Sequence, residues 1–232
     1  MVWTYAKVEK SIDAYLGAGD TDDPKFRKRM RMLEVATELF VKQGYRKTSV
    51  DEVAEAAGVA KGTVYLYFRT KADLLVGAIA LEKKAYLANI KPVFTEALDP
   101  RERLRMWLRT ALVLANEMPL VSKIVRGDPE MLAVLAELPK EVQEQQQAFK
   151  LDFIGGFLDE AARPHKWTKS ELEDRVQVLT GLSYFAGMLA NEQVRGGLSV
   201  ERYSELLAQM VVDGLVASGR GEAASIPPGE EQ

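Results

Sequence analysis

The sequence predicts an all-α chain in two parts, an N-terminal three-helix domain containing a helix-turn-helix and a larger C-terminal helical domain. Apolar residues recur at three- and four-residue steps almost throughout, strand-like alternation is absent, and prolines and glycines punctuate the periodic runs. A chain of 232 residues can bury a sizeable core, and this length fits a small domain joined to a larger one better than one compact unit. The divisions fall at residues 1–23, an extension; 24–75, the helix-turn-helix domain; 76–217, the helical remainder; and 218–232, a Gly-, Glu-, Ala- and Pro-rich tail that reads as unfolded.

In the extension, Trp3, Val8, Ile12, Tyr15 and Leu16 stand at helical spacing before a Gly-Ala-Gly-Asp linker, so an amphipathic helix is one reading and disorder the other. Its acidity, two Lys against five Asp+Glu over residues 1–23, favours docking on protein over an arm for nucleic acid. The first helix of the next domain closes at Gly44-Tyr45. Ser49 stands three residues before Glu52, the spacing at which hydroxyl and carboxylate cap each other's backbone donors, so a second helix begins there. Val50, Val53, Ala54 and Ala57 share a face, and the small alanines admit a close neighbour. Gly58 can take the left-handed conformation that ends the helix. From Ala60 the helical spacing resumes, with Val64 and Phe68 inward and Lys61, Thr63, Tyr65, Leu66 and Tyr67 largely outward.

The run AEAAGVAKGTVYLYF, residues 54–68, followed by Lys71, Leu74 and Leu75, resembles the DNA-binding signature of TetR-family transcriptional regulators. MLEVATELFVKQGY, residues 32–45, is similar to the family's first helix, and residues 26–75 or so carry the likeness. The resemblance implies double-stranded operator DNA and a second copy of the chain as partners, a small-molecule effector, and neither cofactor nor metal. One departure is visible. The family usually places Ser where this chain has Ala60, so a helix cap and a phosphate contact are missing.

Charge agrees. From Pro24 to Asp73 there are eleven Lys+Arg against six Asp+Glu, a net of +5, in a chain whose formal total is -3. Positive charge concentrated in one domain makes attraction to phosphate local. Beside a helix-turn-helix, the cluster Lys25, Arg27, Lys28, Arg29 and Arg31 reads as phosphate contact rather than a solvated face. Within the site, Lys61 can reach a phosphate or guanine edge and Gly62 lets backbone approach DNA. Thr63 can bond base or phosphate, Tyr65 and Tyr67 resemble phosphate-contacting positions, and Leu66 can touch a thymine methyl. Thr48 and Lys71 are expected to hold the DNA backbone on either side. For Tyr65 and Tyr67, packing between helices stays open.

Beyond Leu75, the sequence predicts a connecting helix over 73–87, a long helix over 101–118, short pieces cut by Pro119, Pro129 and Pro139, a long helix over 140–162, another over 172–194 and a final one. Phe149, Phe153 and Phe157 share a face, as ordinary core or as the lining of an apolar ligand cavity. Trp107, Met118, Tyr184 and Met188 are further candidates for that cavity. Ser183, Gly187 and Ala190 would let another helix come close, while Tyr203, Leu206, Leu207, Met210, Val211 and Leu215 form a stripe. These helices either bury each other within one subunit or complete a four-helix interface with a copy. The resemblance favours a homodimer, with Ser183, Gly187, Ala190, Leu206 and Met210 at its interface and a pseudo-palindromic operator as its target.

No cysteine is present, and Lys7, Glu9, Lys10 and Asp13 interrupt any apolar leader, so a cytoplasmic location is expected. The longest uncharged stretch, Val176 to Asn191, is sixteen residues, below a membrane span. The functional expectation is a repressor released from its operator by a small apolar or amphipathic ligand. An architectural or corepressor-type DNA-binding protein without an inducing ligand is the alternative. An all-helical enzyme fits less well, because the lone His165 sits in a loop-like stretch and no Glu-x-x-His pair, phosphate loop or nucleophile elbow appears.

Overall fold

The computed structural model describes residues 3–17, 19–20, 22–163 and 166–217, and every regular element among them is helical. In chain order these are α1 (Tyr5–Leu16), α2 (Pro24–Gln43), α3 (Val50–Ala57), α4 (Lys61–Tyr67), α5 (Lys71–Ala85), α6 (Lys91–Thr95), α7 (Pro100–Glu117), α8 (Pro119–Val125), α9 (Pro129–Ala136), α10 (Lys140–Ala162), α11 (Lys169–Ala186), α12 (Glu192–Arg195) and α13 (Val200–Ala217). Short 3-10 turns at Leu87–Ile90 and Gly187–Ala190 extend α5 and α11. Among the described residues no helix is long and apolar enough to cross a membrane. His165 and the tail from residue 218 lie outside the described residues.

A recurring dipeptide starts three of these helices. Asp23, Asp99 and Asp128 each accept backbone N–H groups of the first turn, and the Pro that follows each occupies the first helical position, where no N–H is needed. Ser49 with Glu52, Thr70 with Asp73 and Thr168 with Glu171 form reciprocal capping boxes on α3, α5 and α11. The single helix expected over 172–194 is instead divided. The α-helix passes at Gly187, which lies so close to α8 that a Cβ there would meet the Val125 carbonyl oxygen at 2.5 Å, into a 3-10 turn that stops at the extended Asn191. Asn191 then caps α12, and Gly196 closes that helix in the left-handed conformation.

Two apolar clusters form the interior. One gathers α2 to α5 around Met32, Leu33, Phe40, Leu74 and Leu75, with Leu120 of α8 and Met131 of α9 added from beyond α5. The other joins α7, α10, α11 and α13 around Leu104, Leu108, Leu158, Val176 and Val212. The α1 helix reaches both, with Trp3 and Val8 in the second cluster and Leu16 in the first.

Where α5 meets α8, the Glu82 carboxylate accepts the backbone N–H groups of Leu120 and Val121 at 2.8 and 2.9 Å, capping a helix that has no cap of its own. Burial pushes the Glu82 carboxyl above the usual carboxylate range despite these two donors. Glu82→Ala removes the acceptor that serves both donors, and we expect urea denaturation to read a loss of about 1–3 kcal/mol. Because the folded state holds the Glu82 proton more tightly than the unfolded chain, this group's contribution to stability falls as pH rises through its raised folded-state pKa. That component of the pH slope is expected to vanish in the variant.

Candidate nucleic-acid interface

The recognition geometry is built from helix ends. Glu52 accepts the Ser49 N–H at 2.7 Å while the Ser49 hydroxyl accepts the Glu52 N–H at 3.1 Å, which fixes the start of α3. The Ser49 N–H, the Ser49 hydroxyl and the Gln43 amide, all donating to it, hold the Glu52 carboxyl below its ordinary range. At the other end Gly58 has φ 69° and donates back to Ala54 and Glu55, so the chain turns sharply into α4. Ala60 caps α4 with no side-chain bond. Val64 and Phe68 are buried and key α4 into the first cluster.

The opposite face of α4 is open. Leu66 is 85% exposed and Tyr65 46%, and a Cβ on Gly62 would meet nothing within 4 Å. Lys61 is exposed and pairs with Asp51 at 2.8 Å. Thr63 is half-buried, and Tyr67 packs partly against the cluster, so the two tyrosines have different surroundings. The side chains of Lys61, Tyr65 and Leu66, with the surface of Gly62, thus come together on one outward face.

Three cations and hydroxyls expected to meet DNA turn inward instead. Thr48 is fully buried, its hydroxyl donating to the Gly44 carbonyl at 2.8 Å and lying 3.3 Å from the Gln43 amide. Lys71 donates to the carbonyls of Tyr45 at 2.8 Å, Thr48 at 2.9 Å and Arg46 at 3.5 Å, and lies 4.1 Å over the Tyr45 ring. Burial lowers its pKa, against the pull of Glu130 and Glu52. Arg29 donates to the carbonyls of Leu16 at 2.6 Å, Tyr15 at 3.2 Å and Tyr67 at 2.8 Å. Each serves the unpaired carbonyls that helix ends and turns leave behind. Lys25, Arg27, Lys28 and Arg31 stay exposed, Arg31 beside Glu34 at 3.6 Å. Arg46, Lys47 and Arg69 also stand exposed, next to the turn before α3 and just after α4. Sequence reading counted them only as charge, although their adjacency to the motif was visible.

In the second domain, Phe149, Phe153 and Phe157 meet at 5.2 and 5.5 Å between successive rings, and Trp107 stacks on Phe157 at 5.7 Å. Phe94 of α6 and Trp3 before α1 complete this group; periodicity put Trp3 on the N-terminal helix face, but neither residue was expected here because both are remote in sequence. Beside it lies a small cleft with room for little more than one water molecule, lined by Trp3, Arg103, Gly156, Phe157 and Glu160. Met118 is buried where α7 gives way to α8. Tyr184 and Met188 are instead exposed, because they lie on the outer side of α11 and its 3-10 extension.

Val178, Tyr184, Phe185, Met188 and Met210 leave apolar surface on α11, its extension and α13, with Met210 73% exposed. Ala190 is exposed, Leu206 half-buried, and the Ser183 hydroxyl donates to the Thr180 carbonyl at 2.6 Å. Gly187, expected at an interface between copies, is used within the subunit against α8.

Residues 32–78 match the family described as "Bacterial regulatory proteins, tetR family". The fatty acid metabolism regulator protein of Bacillus subtilis is 27% identical over 133 residues, which cover 57% of this chain and 63% of that relative, less than two thirds of its length. Two solved structures share the fold: FadR from Bacillus subtilis in complex with stearoyl-CoA (TM-score 0.55, 21% identity, 81% of this chain and 97% of that one) and AibR in complex with isovaleryl coenzyme A and operator DNA (TM-score 0.56, 20% identity, 79% and 97%).

The inward cations separate two roles that a binding assay alone would merge. Lys71→Ala leaves the carbonyls of Tyr45 and Thr48 without this donor and is expected to lower stability, on the order of 1 kcal/mol, in a denaturant titration. Lys61→Ala, at an exposed ion pair, is expected to leave the unfolding midpoint in place.

Proposed function

Taking as premise that this chain is a TetR-family DNA-binding transcriptional regulator, we propose that it is a homodimeric cytoplasmic repressor released from a pseudo-palindromic operator by a small amphipathic ligand. The observation that carries the DNA half is the outward face of α4, where a large apolar side chain, Leu66, and a phenol, Tyr65, are left to solvent beside Lys61 and an unobstructed Gly62. Isolated exposed apolar residues are ordinary, but this group projects from a short helix fixed by the turn at Gly58. A helix fits the major groove, where Leu66 meets a thymine methyl while Lys61, Thr63, Tyr65 and Tyr67 position on phosphate and base edges. Exposed Arg46, Lys47 and Arg69 add sequence-independent attraction. Thr48 and Lys71 act here by shaping the turn.

For the ligand we infer an acyl-CoA ester. The aromatic group of Trp107, Phe149, Phe153 and Phe157 offers an apolar face suited to an acyl chain, and two structures of the same fold hold such esters. Dimerisation follows from the exposed apolar surface of α11 and α13. One recognition helix reads few base pairs, and a two-fold pair doubles the reading. Release of DNA then needs a coupling of about 1–3 kcal/mol between ligand and operator sites.

Selection of a duplex from a random-sequence pool, followed by anisotropy titrations, tests the DNA half. We expect Tyr65→Ala and Leu66→Ala to weaken binding, and Lys61→Ala to reduce the salt slope by about one as well. Equal, weak retention of every duplex by wild type and Lys61→Ala at low salt would sink the proposal. In analytical ultracentrifugation, Phe185→Glu with Met210→Glu is expected to halve the sedimenting mass; an unchanged mass would place the dimer contact elsewhere.

A further inference from the structure

The N-terminal helix touches both functional regions. Before its first turn, the Trp3 indole N–H donates to the Asp152 carbonyl at 2.9 Å, and the ring meets Phe149 and Phe153 edge-on at 5.3 and 5.0 Å. Lys7 lies 4.0 Å over the same indole and pairs with the Asp152 carboxylate at 2.9 Å. Midway, Lys84 of α5 pairs with Glu9 at 2.8 Å and Asp13 at 3.0 Å. After the last turn, the carbonyls of Tyr15 and Leu16 hold the Arg29 guanidinium, whose Nη1 donates to Tyr67, the last residue of α4. Gly17, with φ 91°, keeps this junction tight, since a Cβ there would meet Arg29 Nε at 2.9 Å.

Resting on the acyl-ester reading above, we propose that Trp3 is an internal occupant of the effector site and that α1 conveys its displacement to the recognition helix. Interiors are close-packed, and the cleft beside Trp3, with room for little more than one water molecule, does not hold an acyl chain. A chain laid against Phe149 and Phe153 takes the volume that the indole fills. Twelve residues of helix form a strut about 18 Å long, too stiff to absorb movement at one end without passing it to the other. When Trp3 leaves, Tyr15 and Leu16 shift from Arg29, and the C-terminal carbonyl of α4 loses its donor. The recognition helix is then free to change its tilt. The order is fixed by the connections: aromatic face, Trp3, α1, Arg29, Tyr67.

The chain has no cysteine, so a bridge can be placed cleanly. Lys7→Cys with Asp152→Cys, joined by a short bis-maleimide, ties α1 to α10; the same double variant capped with N-ethylmaleimide is the control. With the selected duplex and isovaleryl-CoA or stearoyl-CoA as probes, we expect the bridged protein to bind DNA and stay bound, and the capped one to be released. Equal release of the two overturns the proposal. Without any ligand, Trp3→Ala is expected to bind the duplex about tenfold more weakly, within the ordinary range of allosteric coupling, while Trp3→Phe retains affinity. Unchanged affinity in Trp3→Ala also overturns it. If wild type binds neither ester by calorimetry, the acyl-ester reading fails on its own, and the Trp3→Ala result decides whether α1 couples to the recognition helix.

Discussion

A helix of seven residues cannot hold its own shape in water, because nucleation is costly and few bonds repay it. The α4 helix therefore exists only as its surroundings impose it, and the imposing interaction is the satisfaction of backbone carbonyls by buried or half-buried cations. Arg29 closes the end of α4, Lys71 closes the turn between α2 and α3, and Lys123 of α8 donates to Phe40 and Val41 at the end of α2. Two helix ends and the turn that joins α2 to α3 are thereby fixed relative to one another. These bonds, together with the buried Val64 and Phe68 and the turn at Gly58, give the open face of α4 its direction.

This arrangement changes how the charge of the domain is read. The net of +5 over residues 24–73 includes Arg29 and Lys71, which act on the protein's own backbone. The positive charge left outside lies on Lys25, Arg27, Lys28, Arg31, Lys42, Arg46, Lys47, Lys61 and Arg69, with Arg31 and Lys61 paired to Glu34 and Asp51. Contacts also run from the segments beyond α5 back toward the N-terminal helices: Glu82 of α5 serves the start of α8, and Glu130 of α9 accepts the Arg46 N–H in the turn before α3.

Much of this was legible in the sequence because it depends on neighbours. The capping box at Ser49 and Glu52, the left-handed Gly58, and the inward Val64 and Phe68 all follow from spacing within one or two turns. The long α10 was read with its bounds, since its limits are set by Pro139 and by the loss of pattern after Ala162. The inward turn of Thr48, Arg29 and Lys71 was not legible, for their partners are carbonyls, which carry no signature in sequence. The need for glycine at position 187 was hidden for a similar reason: it depends on how closely the backbone there approaches Val125, more than sixty residues away in the chain. Trp3 and Phe94 joined the aromatic group for reasons of topology alone.

The placement of α1 across both interiors bears on how such a chain could be recombined. Val8 lies in one core and Leu16 in the other. A DNA-reading cassette cut at the conventional start of the first motif helix would leave behind a wall of its own hydrophobic interior. Here the portable unit of inheritance is the cassette together with its leading helix, and a chimera that respects only the motif's borders inherits a core open on one side.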